Sequence, residues 1–217
     1  MKSVVIFGTS EYARMMREYL LSDDLEVVAF CVDRQYLDQP SIDSLPVVAW
    51  DETPTLYPPE SHSLFIALGY TNMNGLREQK INEAIEQGYN LQSYIHPSVI
   101  HTNLTIGDGC VCLEGVVFGN HCQIGKGNVF QVGVCVAHNA FIGDYNFFAP
   151  ACAIAGDVTI ENNCFLGTNC TVRNGITIQN KTLIGAGCYV DKSTDPESVW
   201  VPQRSTTLQT NSSDLII

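Results

Sequence analysis

The sequence has few basic residues and no long apolar run. Its 217 residues include 11 Lys and Arg against 23 Asp and Glu, which gives a formal net charge of −12. Binding to a nucleic-acid backbone needs clustered cations, so we expect no nucleic-acid partner. Apolar stretches such as 3–7 and 27–32 fall far short of the ~20 residues that span a bilayer. The start has no signal-peptide cleavage pattern. We therefore expect a cytoplasmic protein with no membrane partner.

Paired metal-ligand cysteines are also missing. The nine cysteines form no C-x₂-C pair, and an odd number without a secretion pattern favours reduced thiols over disulfides. An anionic ligand remains compatible with the acidic composition, because backbone N–H groups at helix starts hold phosphates without net positive charge.

The first half of the sequence alternates short apolar runs with helical patterns. "SVVIF" leads through "GTSEY" into "ARMMREYLL", and "LEVVAFCVD", "PVVAW", "SLFIALG" and "YNLQSYIHP" follow as further predicted strands. A second helix is predicted from Leu76, Ile81 and Ile85 and ends at Gly88. Strands separated by helices predict a parallel sheet, so we assign residues 1–96 to an α/β Rossmann-like domain.

From residue 100 the sequence repeats every six residues. One column of the repeat is apolar at all sixteen positions: Ile100, Ile106, Cys112, Phe118, Ile124, Phe130, Val136, Ile142, Phe148, Ile154, Ile160, Leu166, Val172, Ile178, Ile184 and Val190. A second column, four places later in each hexad, contains six of the nine cysteines, which favours small core residues at an inward corner. This period predicts a three-sided β-helix over residues 97–194, with residue i stacked on i−18 and no slip in register.

Two smaller predictions accompany the repeat. Glycines just after the apolar column, such as Gly119 and Gly167, favour close approach of the chain or positive φ. Residues 195–217 are expected to form a cap and a tail, with Trp200 and Val201 covering the last coil and residues from about 205 onward mobile.

The hexads "IGDGCV", "IGKGNV", "IGDYNF" and "IGAGCY" resemble those of the hexapeptide-repeat acyltransferases, which implies a left-handed β-helix. With "VVIFGTSEYAR", "ALGYTNMNGLREQ" and "SYIHPSVI", nearly the whole chain is similar to nucleotide-sugar N-acetyltransferases and sialic-acid-type O-acetyltransferases with a Rossmann-like domain in front. The resemblance implies a homotrimer with acetyl-CoA between neighbouring β-helices. It also implies acetylation of a nucleotide-linked 4-amino-4,6-dideoxy sugar used in surface glycans. Sugar O-acetylation and non-catalytic nucleotide-sugar binding are the alternatives.

The resemblance assigns the catalytic base to the histidine of a V-x-H-[DN] hexad, matched here by Val136 to Asn139. The repeat predicts that His138 lies on an outward turn, where an imidazole without a role is an equal alternative on position alone. A histidine, with an ordinary pKa of about 6.5, can accept the proton of an amine or hydroxyl that attacks a thioester directly. Gly156, one coil away, is a candidate N–H donor to the oxyanion or simply a turn glycine.

Two departures from the family concern the surroundings of the histidine. Some relatives follow it with an acid, where Asn139 stands here, so Asp144, Asp157 or Glu114 are the candidates to support the imidazole. Others carry a second histidine where this chain has Phe147. The candidate contacts to acetyl-CoA are Ala155, Gly156, Gly167 and Arg173.

Candidate substrate contacts lie in the first half. Gly8, Thr9 and Ser10 occupy a strand-to-helix turn that suits phosphate, although a purely structural turn is an equal alternative. Asp33 follows the second strand, where a carboxylate meets a ribose hydroxyl or a base edge, and Gly69, Tyr70 and Asn72 complete the set. The turn does not match G-x-G-x-x-G, which disfavours a dinucleotide-dependent reductase.

A zinc site of His101, His121 and His138 is the rival enzyme class. Their spacings of 20 and 17 do not return the side chains to one column of an eighteen-residue coil. We therefore expect no metal cofactor. His96, before Pro97, is predicted to be structural.

Overall fold

The computed structural model describes residues 3–203, so the predicted tail from about 205 onward lies outside the described residues. The first part is an α/β unit. Its strands are β1 (Ser3–Phe7), β2 (Val27–Val32), β3 (Ser41–Ile42), β4 (Leu45–Ala49), β5 (His62–Ile66) and β6 (Asn90–Leu91). Its helices are α1 (Glu11–Ser22), α2 (Thr53–Leu56) and α3 (Gly75–Glu86), with 3₁₀ turns at Arg34–Tyr36 and Trp50–Glu52. The sheet order is β3-β4-β2-β1-β5-β6, and all pairs are parallel except β3 with β4.

The two long helices differ in how they bury their inner faces. Helix α1 begins at the N-cap Ser10, whose side chain accepts a hydrogen bond from the Ala13 N–H. The predicted second helix is confirmed as α3, which ends just before Gly88. Of the apolar residues that predict it, Ile81 is buried and Ile85 is exposed. Arg77 and Lys80 are also buried on this helix, because they meet carbonyl and carboxylate oxygens that bind cations.

The second part is a β-helix of two-residue strands arranged on three faces. The first face contains β7 (Tyr94–Ile95), β10 (Val111–Cys112), β13 (Val129–Phe130), β16 (Phe147–Phe148), β19 (Phe165–Leu166), β22 (Leu183–Ile184) and β24 (Val199–Trp200). The second contains β8 (Ile100–His101), β11 (Val117–Phe118), β14 (Cys135–Val136), β17 (Ala153–Ile154), β20 (Thr171–Val172) and β23 (Tyr189–Val190). The third contains β9 (Thr105–Ile106), β12 (Gln123–Ile124), β15 (Phe141–Ile142), β18 (Thr159–Ile160) and β21 (Thr177–Ile178).

Turns join the faces at three corners, which we name by one residue each. The 114 corner, with turns at 114–115, 132–133, 150–151, 168–169 and 186–187, joins the first face to the second. The 138 corner, with turns at 120–121, 138–139, 156–157 and 174–175, joins the second face to the third. The 126 corner, with turns at 126–127, 144–145, 162–163 and 180–181, joins the third face to the first. The 138 corner is therefore opposite the first face.

The predicted eighteen-residue coil is confirmed from residue 105 to residue 190. Strands pair eighteen residues apart, as in Phe118 with Val136, and the apolar column from Cys112 to Val190 is buried. The column fails at Ile100, whose side chain is 65% exposed. Ile100 pairs with Val117, seventeen residues away, and a one-residue shift turns a side chain to the other face of a strand. Val99 packs against the core in its place.

The second inward column mixes thiols with polar side chains. Its six cysteines are buried and free, as predicted. Asn128 and Asn146 are fully buried in the same column. The Asn128 side chain donates to the Gly143 carbonyl at 2.8 Å and accepts from the Asn146 N–H at 2.9 Å, so its amide stays hydrogen bonded inside the helix.

Close packing of coils accounts for the glycines after the apolar column. A Cβ on Gly119 would lie 2.6 Å from the His138 backbone nitrogen, and one on Gly167 would lie 2.5 Å from that of Ala186. Positive φ occurs elsewhere, at turn residues such as Gly133 with φ +70°. Of the two alternatives for these glycines, close approach is therefore the one that applies.

The α/β unit packs on the first face of the β-helix. Val111, Val129 and Phe147 point outward on that face and are nevertheless buried. Hydrogen bonds between the two parts, within residues 3–203, end at the first face or at the 114 and 126 corners. This arrangement leaves the 138 corner on the side away from the α/β unit.

The far end of the β-helix is closed by one extra strand. β24 pairs with β22, and Trp200 is half-buried against the core, as expected for a cap. Val201 is 76% exposed, so its predicted capping role is wrong; the chain leaves the coil directly after Trp200. Among residues 3–203, none of the helices has the length and apolar character that crossing a membrane needs.

Candidate active site

His138 is an exposed residue in a turn of the 138 corner, outside the core as the repeat predicts. Its imidazole lies against Gly156 of the next coil, where a Cβ would be 2.6 Å from Cε1 and 2.7 Å from Nε2. Neither ring nitrogen has a hydrogen-bond partner within residues 3–203. The ring is therefore positioned by packing and keeps its nitrogens free to take up a proton.

Asn139 and Asp157 form a hydrogen-bonded pair beside this ring. Asn139 has φ +56°, and its side-chain amide donates to Asp157 Oδ1 at 2.9 Å. The Asp157 N–H donates to the His138 carbonyl at 3.0 Å, which joins the two coils at the backbone. Asp157 is thus tied to the backbone of the candidate base.

The other two candidate acids lie at different corners. Asp144 accepts a hydrogen bond from the Lys126 N–H at 2.8 Å at the 126 corner. Glu114, at the 114 corner, accepts one from the Tyr19 hydroxyl of α1, and this bond holds its pKa below its ordinary value. Of the three acids, only Asp157 is brought to the 138 corner.

The candidate acetyl-CoA contacts divide between two corners. Ala155 and Arg173 precede turns of the 138 corner on successive coils, and Arg173 is exposed. The Gly156 N–H has no acceptor among the described residues, while its carbonyl accepts from Gly175 at 3.0 Å. Gly167 is buried at the 114 corner, so this chain does not bring it together with His138.

Two of the candidate substrate loops meet at one edge of the α/β sheet. Gly8, with φ +122°, follows β1, and a Cβ there would lie 2.8 Å from the Ala67 carbonyl that follows β5. Thr9 and Ser10 continue from Gly8 into α1, and Gly69 to Asn72 continue from β5 towards α3. Because β1 and β5 are neighbours at the point where strand order reverses, these loops flank the usual ligand crevice of such sheets.

Asp33 follows β2 and is held by a lysine that the sequence analysis did not single out. Lys80, almost fully buried on α3, donates to Asp33 Oδ1 at 2.6 Å and to Glu83 Oε2 at 2.8 Å. Burial alone would lower the pKa of Lys80, but the two carboxylates outweigh it and raise the pKa above its ordinary value. Lys80 occupies a helical position that an apolar residue could also fill, so no sequence pattern marks it.

Phe147 lies on the first face, away from His138. It is buried beneath Tyr70, with ring centroids 5.0 Å apart, and stacks on Phe165 at 5.7 Å. A residue at position 147 therefore faces the α/β unit of its own chain. Candidate base and candidate substrate crevice lie on opposite sides of the β-helix within one chain.

The structure gives little support for thiol or metal chemistry at this site. Eight of the nine cysteines are buried, and burial raises the pKa of Cys110 and of Cys164 to about 12. Such thiols stay protonated and are poor nucleophiles. Within the described range, no cluster of three or more His, Cys, Asp or Glu side chains has metal-site geometry, and this includes His101, His121 and His138.

Comparison with known proteins gives one family match and several similar structures. The family described as the hexapeptide repeat of succinyl-transferase matches residues 157–192, and no curated protein matches the sequence. PerB from Caulobacter crescentus, solved with CoA and GDP-perosamine, is 28% identical with a TM-score of 0.82, over 92% of this chain and 93% of that chain.

Two further similar structures are 20% identical and show the fold alone. The acetyltransferase domain of PglB from Neisseria gonorrhoeae has a TM-score of 0.80, over 92% of this chain and 96% of that chain. WeeI from Acinetobacter baumannii has a TM-score of 0.81 with the same coverage. The predicted fold, a Rossmann-like domain followed by a left-handed parallel β-helix, and the predicted resemblance are confirmed.

Proposed function

We propose that this hexapeptide-repeat protein is an acyltransferase that moves the acetyl group of acetyl-CoA to the amino group of a nucleotide-linked 4-amino-4,6-dideoxy sugar. The observation that carries the proposal is the exposed His138 imidazole, with both nitrogens free, in a chain that matches PerB over nearly its whole length. PerB was solved with CoA and GDP-perosamine, which are the two kinds of ligand this reaction needs.

The chemistry follows from the groups at the 138 corner. The sugar amine attacks the thioester carbonyl, a C–N bond forms, and His138 takes the proton that the amine loses. The Gly156 N–H, free of other acceptors, donates to the oxyanion of the tetrahedral intermediate. The C–S bond then breaks and CoA leaves, with no covalent enzyme intermediate. Asn139, held by Asp157, fixes the backbone turn that carries the base.

Acetyl-CoA is proposed to lie along the 138 corner, against Ala155 and Arg173. Arg173 is exposed there and suits the phosphates of CoA. The nucleotide sugar is proposed to lie in the crevice of the α/β unit. Gly8, Thr9 and Ser10 would hold its diphosphate, Asp33 a ribose hydroxyl or base edge, and Gly69, Tyr70 and Asn72 the opposite wall.

The proposed assembly is a homotrimer in the cytoplasm, where acetyl-CoA and nucleotide sugars are available. One chain keeps its substrate crevice and its His138 on opposite sides of the β-helix, so an amine bound in the crevice does not reach the base of the same chain. A neighbouring subunit that presents its 138 corner to the crevice completes the site. Three identical chains around one axis give each crevice such a neighbour.

The test is CoA release from acetyl-CoA with GDP-, UDP- and dTDP-linked 4-amino-4,6-dideoxy sugars. His138→Asn is expected to lower kcat by about 10²–10⁴, the usual contribution of a general base. His121→Asn, an exposed histidine at the same corner one coil away, is the matched control and is expected to keep full activity.

Three results would contradict the proposal. A loss in His138→Asn smaller than about tenfold would remove the base assignment. Mass spectrometry that locates the acetyl group on a hydroxyl would favour the O-acetyltransferase alternative. Nucleotide-sugar binding without any CoA release would favour the non-catalytic alternative.

A further inference from the structure

A cluster of three aromatic rings joins the two parts of the chain. Tyr70 comes from the loop after β5, Phe147 from β16 and Phe165 from β19. The Tyr70 ring lies 5.0 Å from that of Phe147 and 4.7 Å from that of Phe165. Phe147 is buried, but Tyr70 remains 56% exposed on top of it. The cluster therefore presents one aromatic ring to solvent with two more behind it.

This cluster begins where the crevice of the α/β unit ends. Tyr70 follows Gly69 directly, beside the β1 and β5 ends that flank the crevice. A ligand whose phosphates lie near Gly8 and Ser10 would extend any further group towards the Tyr70 ring. The group attached to the diphosphate of a nucleotide sugar is its hexose.

The loop that carries Tyr70 is fixed rather than free. Arg77, buried on α3, donates to the Gly69 carbonyl at 2.7 Å. Its other N–H groups donate to the carbonyls of Gly127, Tyr145 and Asn146, each at 3.0 Å, on the β-helix. Asn74 donates to the Cys164 carbonyl, also at 3.0 Å. A ring held in this way loses little conformational entropy when a ligand packs on it.

The backbone of the same loop is held in a costly conformation. Asn72, Met73 and Asn74 have φ of 53°, 47° and 64°, three left-handed residues in succession. Such residues persist where the surrounding contacts over-determine them, and they concentrate at ligand-binding segments. The anchors from Arg77 and Asn74 supply those contacts.

We propose that the cluster of Tyr70, Phe147 and Phe165 is the subsite for the hexose, an inference that rests on the proposed function. The cluster selects 6-deoxy sugars. The apolar C–H face and the C6 methyl group of such a sugar pack on the exposed Tyr70 ring, as apolar groups do on aromatic side chains in ligand pockets. A C6 hydroxyl prefers water and gains less from contact with the ring than a C6 methyl group does. The cluster thus contributes to specificity and not to proton transfer.

Calorimetric binding tests this assignment with matched ligands and variants. Wild type, Tyr70→Ala and Tyr70→Phe are titrated with GDP, GDP-perosamine, GDP-mannose and the 6-deoxy counterpart of GDP-mannose. Tyr70→Ala is expected to weaken binding of GDP-perosamine about fivefold to tenfold and to leave GDP unchanged, because one aromatic contact is lost. Tyr70→Phe, which keeps the ring, is expected to behave like wild type. The wild-type preference for the 6-deoxy sugar over GDP-mannose is expected to disappear in Tyr70→Ala.

Two outcomes would overturn the subsite. Equal weakening of GDP and GDP-perosamine in Tyr70→Ala would mean that Tyr70 shapes the nucleotide crevice, and no weakening of either would mean that the cluster only joins the two parts. Failure of the proposed function is a separate result: the wild-type protein would release no CoA with GDP-, UDP- or dTDP-linked amino sugars. If the wild type acts on UDP- or dTDP-linked sugars, the same comparison of binding affinities is made with the free nucleotide and the sugars linked to it.

Discussion

The imidazole of His138 lies so close to the α-carbon of Gly156 that a side chain at position 156 would require the ring to move. An added Cβ would lie 2.6 Å from the ring Cε1, well inside van der Waals contact. The backbone of His138 is equally close to Gly119 in the preceding coil. A Cβ added to Gly119 would lie 2.6 Å from the His138 backbone nitrogen. One residue is thus confined by two glycines, one against its ring and one against its backbone.

Gly156→Ala is expected to lower kcat at least tenfold while changing the free energy of unfolding by less than about 1 kcal/mol. The His138 ring is exposed and can move away from the new methyl group, so the fold tolerates the change but the proposed base leaves its position. Gly119→Ala is the comparison. Its methyl group meets backbone, which cannot move aside, so it is expected to cost about 1–3 kcal/mol. CoA release and urea denaturation measure the two effects, and a fully active Gly156→Ala variant would contradict the ring placement.

The Asn139 and Asp157 pair predicts that exchanging the two residues restores what a single change removes. Asn139→Asp sets two carboxylates against each other and is expected to cost about 1 kcal/mol of unfolding free energy. Adding Asp157→Asn reverses donor and acceptor and is expected to recover most of that loss. Asn and Asp both tolerate the positive φ at position 139, so backbone strain does not enter. Equal stabilities of single and double variants would show that the hydrogen bond contributes nothing.

Arg77→Met is expected to lower the free energy of unfolding by about 3 kcal/mol or more, because four carbonyls lose a charged donor. Burial lowers the pKa of Arg77 to about 10, which still leaves it protonated at neutral pH. Arg77→Lys keeps the charge but supplies fewer donors, so an intermediate loss is expected. The exposed Arg173→Met serves as control, with a change within about 0.5 kcal/mol. Urea unfolding curves that do not separate the three variants would refute this account.

The ion pair of Lys80 and Glu83 predicts a loss of stability in acid. Partial burial works to raise the pKa of Glu83, but hydrogen bonds from Lys80, Gln79 and Trp50 hold it below its ordinary 4.5. A carboxylate with a lowered pKa stabilises the fold above its unfolded pKa, and that contribution disappears as the pH falls through the folded pKa. Glu83→Gln is therefore expected to be less stable than wild type at pH 7, by about 1 kcal/mol. The difference is expected to shrink as the pH falls below 4.5 and to vanish below the folded pKa of Glu83.

Thermal unfolding followed by tryptophan fluorescence measures this difference, because the Trp50 indole donates to Glu83 at 2.8 Å. Glu86→Gln, an exposed neighbour on the same helix, is the control. A stability difference between wild type and Glu83→Gln that stays constant from pH 7 to well below pH 4.5 would rule out this role.

The repeat made most of the β-helix predictable, and its one failure has a local cause. Apolar residues every six positions specify inward side chains as long as each coil stacks on another of equal length. Ile100 lies in a coil of seventeen residues, where pairing with Val117 turns it outward. The shift cannot be predicted from the residue itself, because an isoleucine occurs on the inner or the outer side of a strand.

The site was only partly predictable, because sequence gives positions along the chain and not which face another domain covers. The outward place of His138 follows from the hexads. That the α/β unit packs on the opposite face depends on Arg77, Asn74 and Tyr19, which reach carbonyl and carboxylate oxygens of distant coils. A buried arginine in a helix has no pattern that distinguishes it from an exposed one.

The separation of crevice and base within one chain predicts complementation between inactive subunits. Ser10→Asp keeps the N-cap of α1 but places a carboxylate where the diphosphate is proposed to bind, and His138→Asn removes the proposed base. Each variant alone is expected to be inactive. The two variants are then refolded together in equal amounts. If each site takes its crevice from one chain and its base from a neighbour, random mixing leaves both intact in about a quarter of the sites. About a quarter of wild-type CoA release is therefore expected. A site contained in one chain would give none, because every chain then carries one defect. Mixing the folded variants without refolding is the control, since subunits of the proposed trimer, once assembled, are not expected to exchange at once. Activity in that mixture would point to contamination rather than to shared sites.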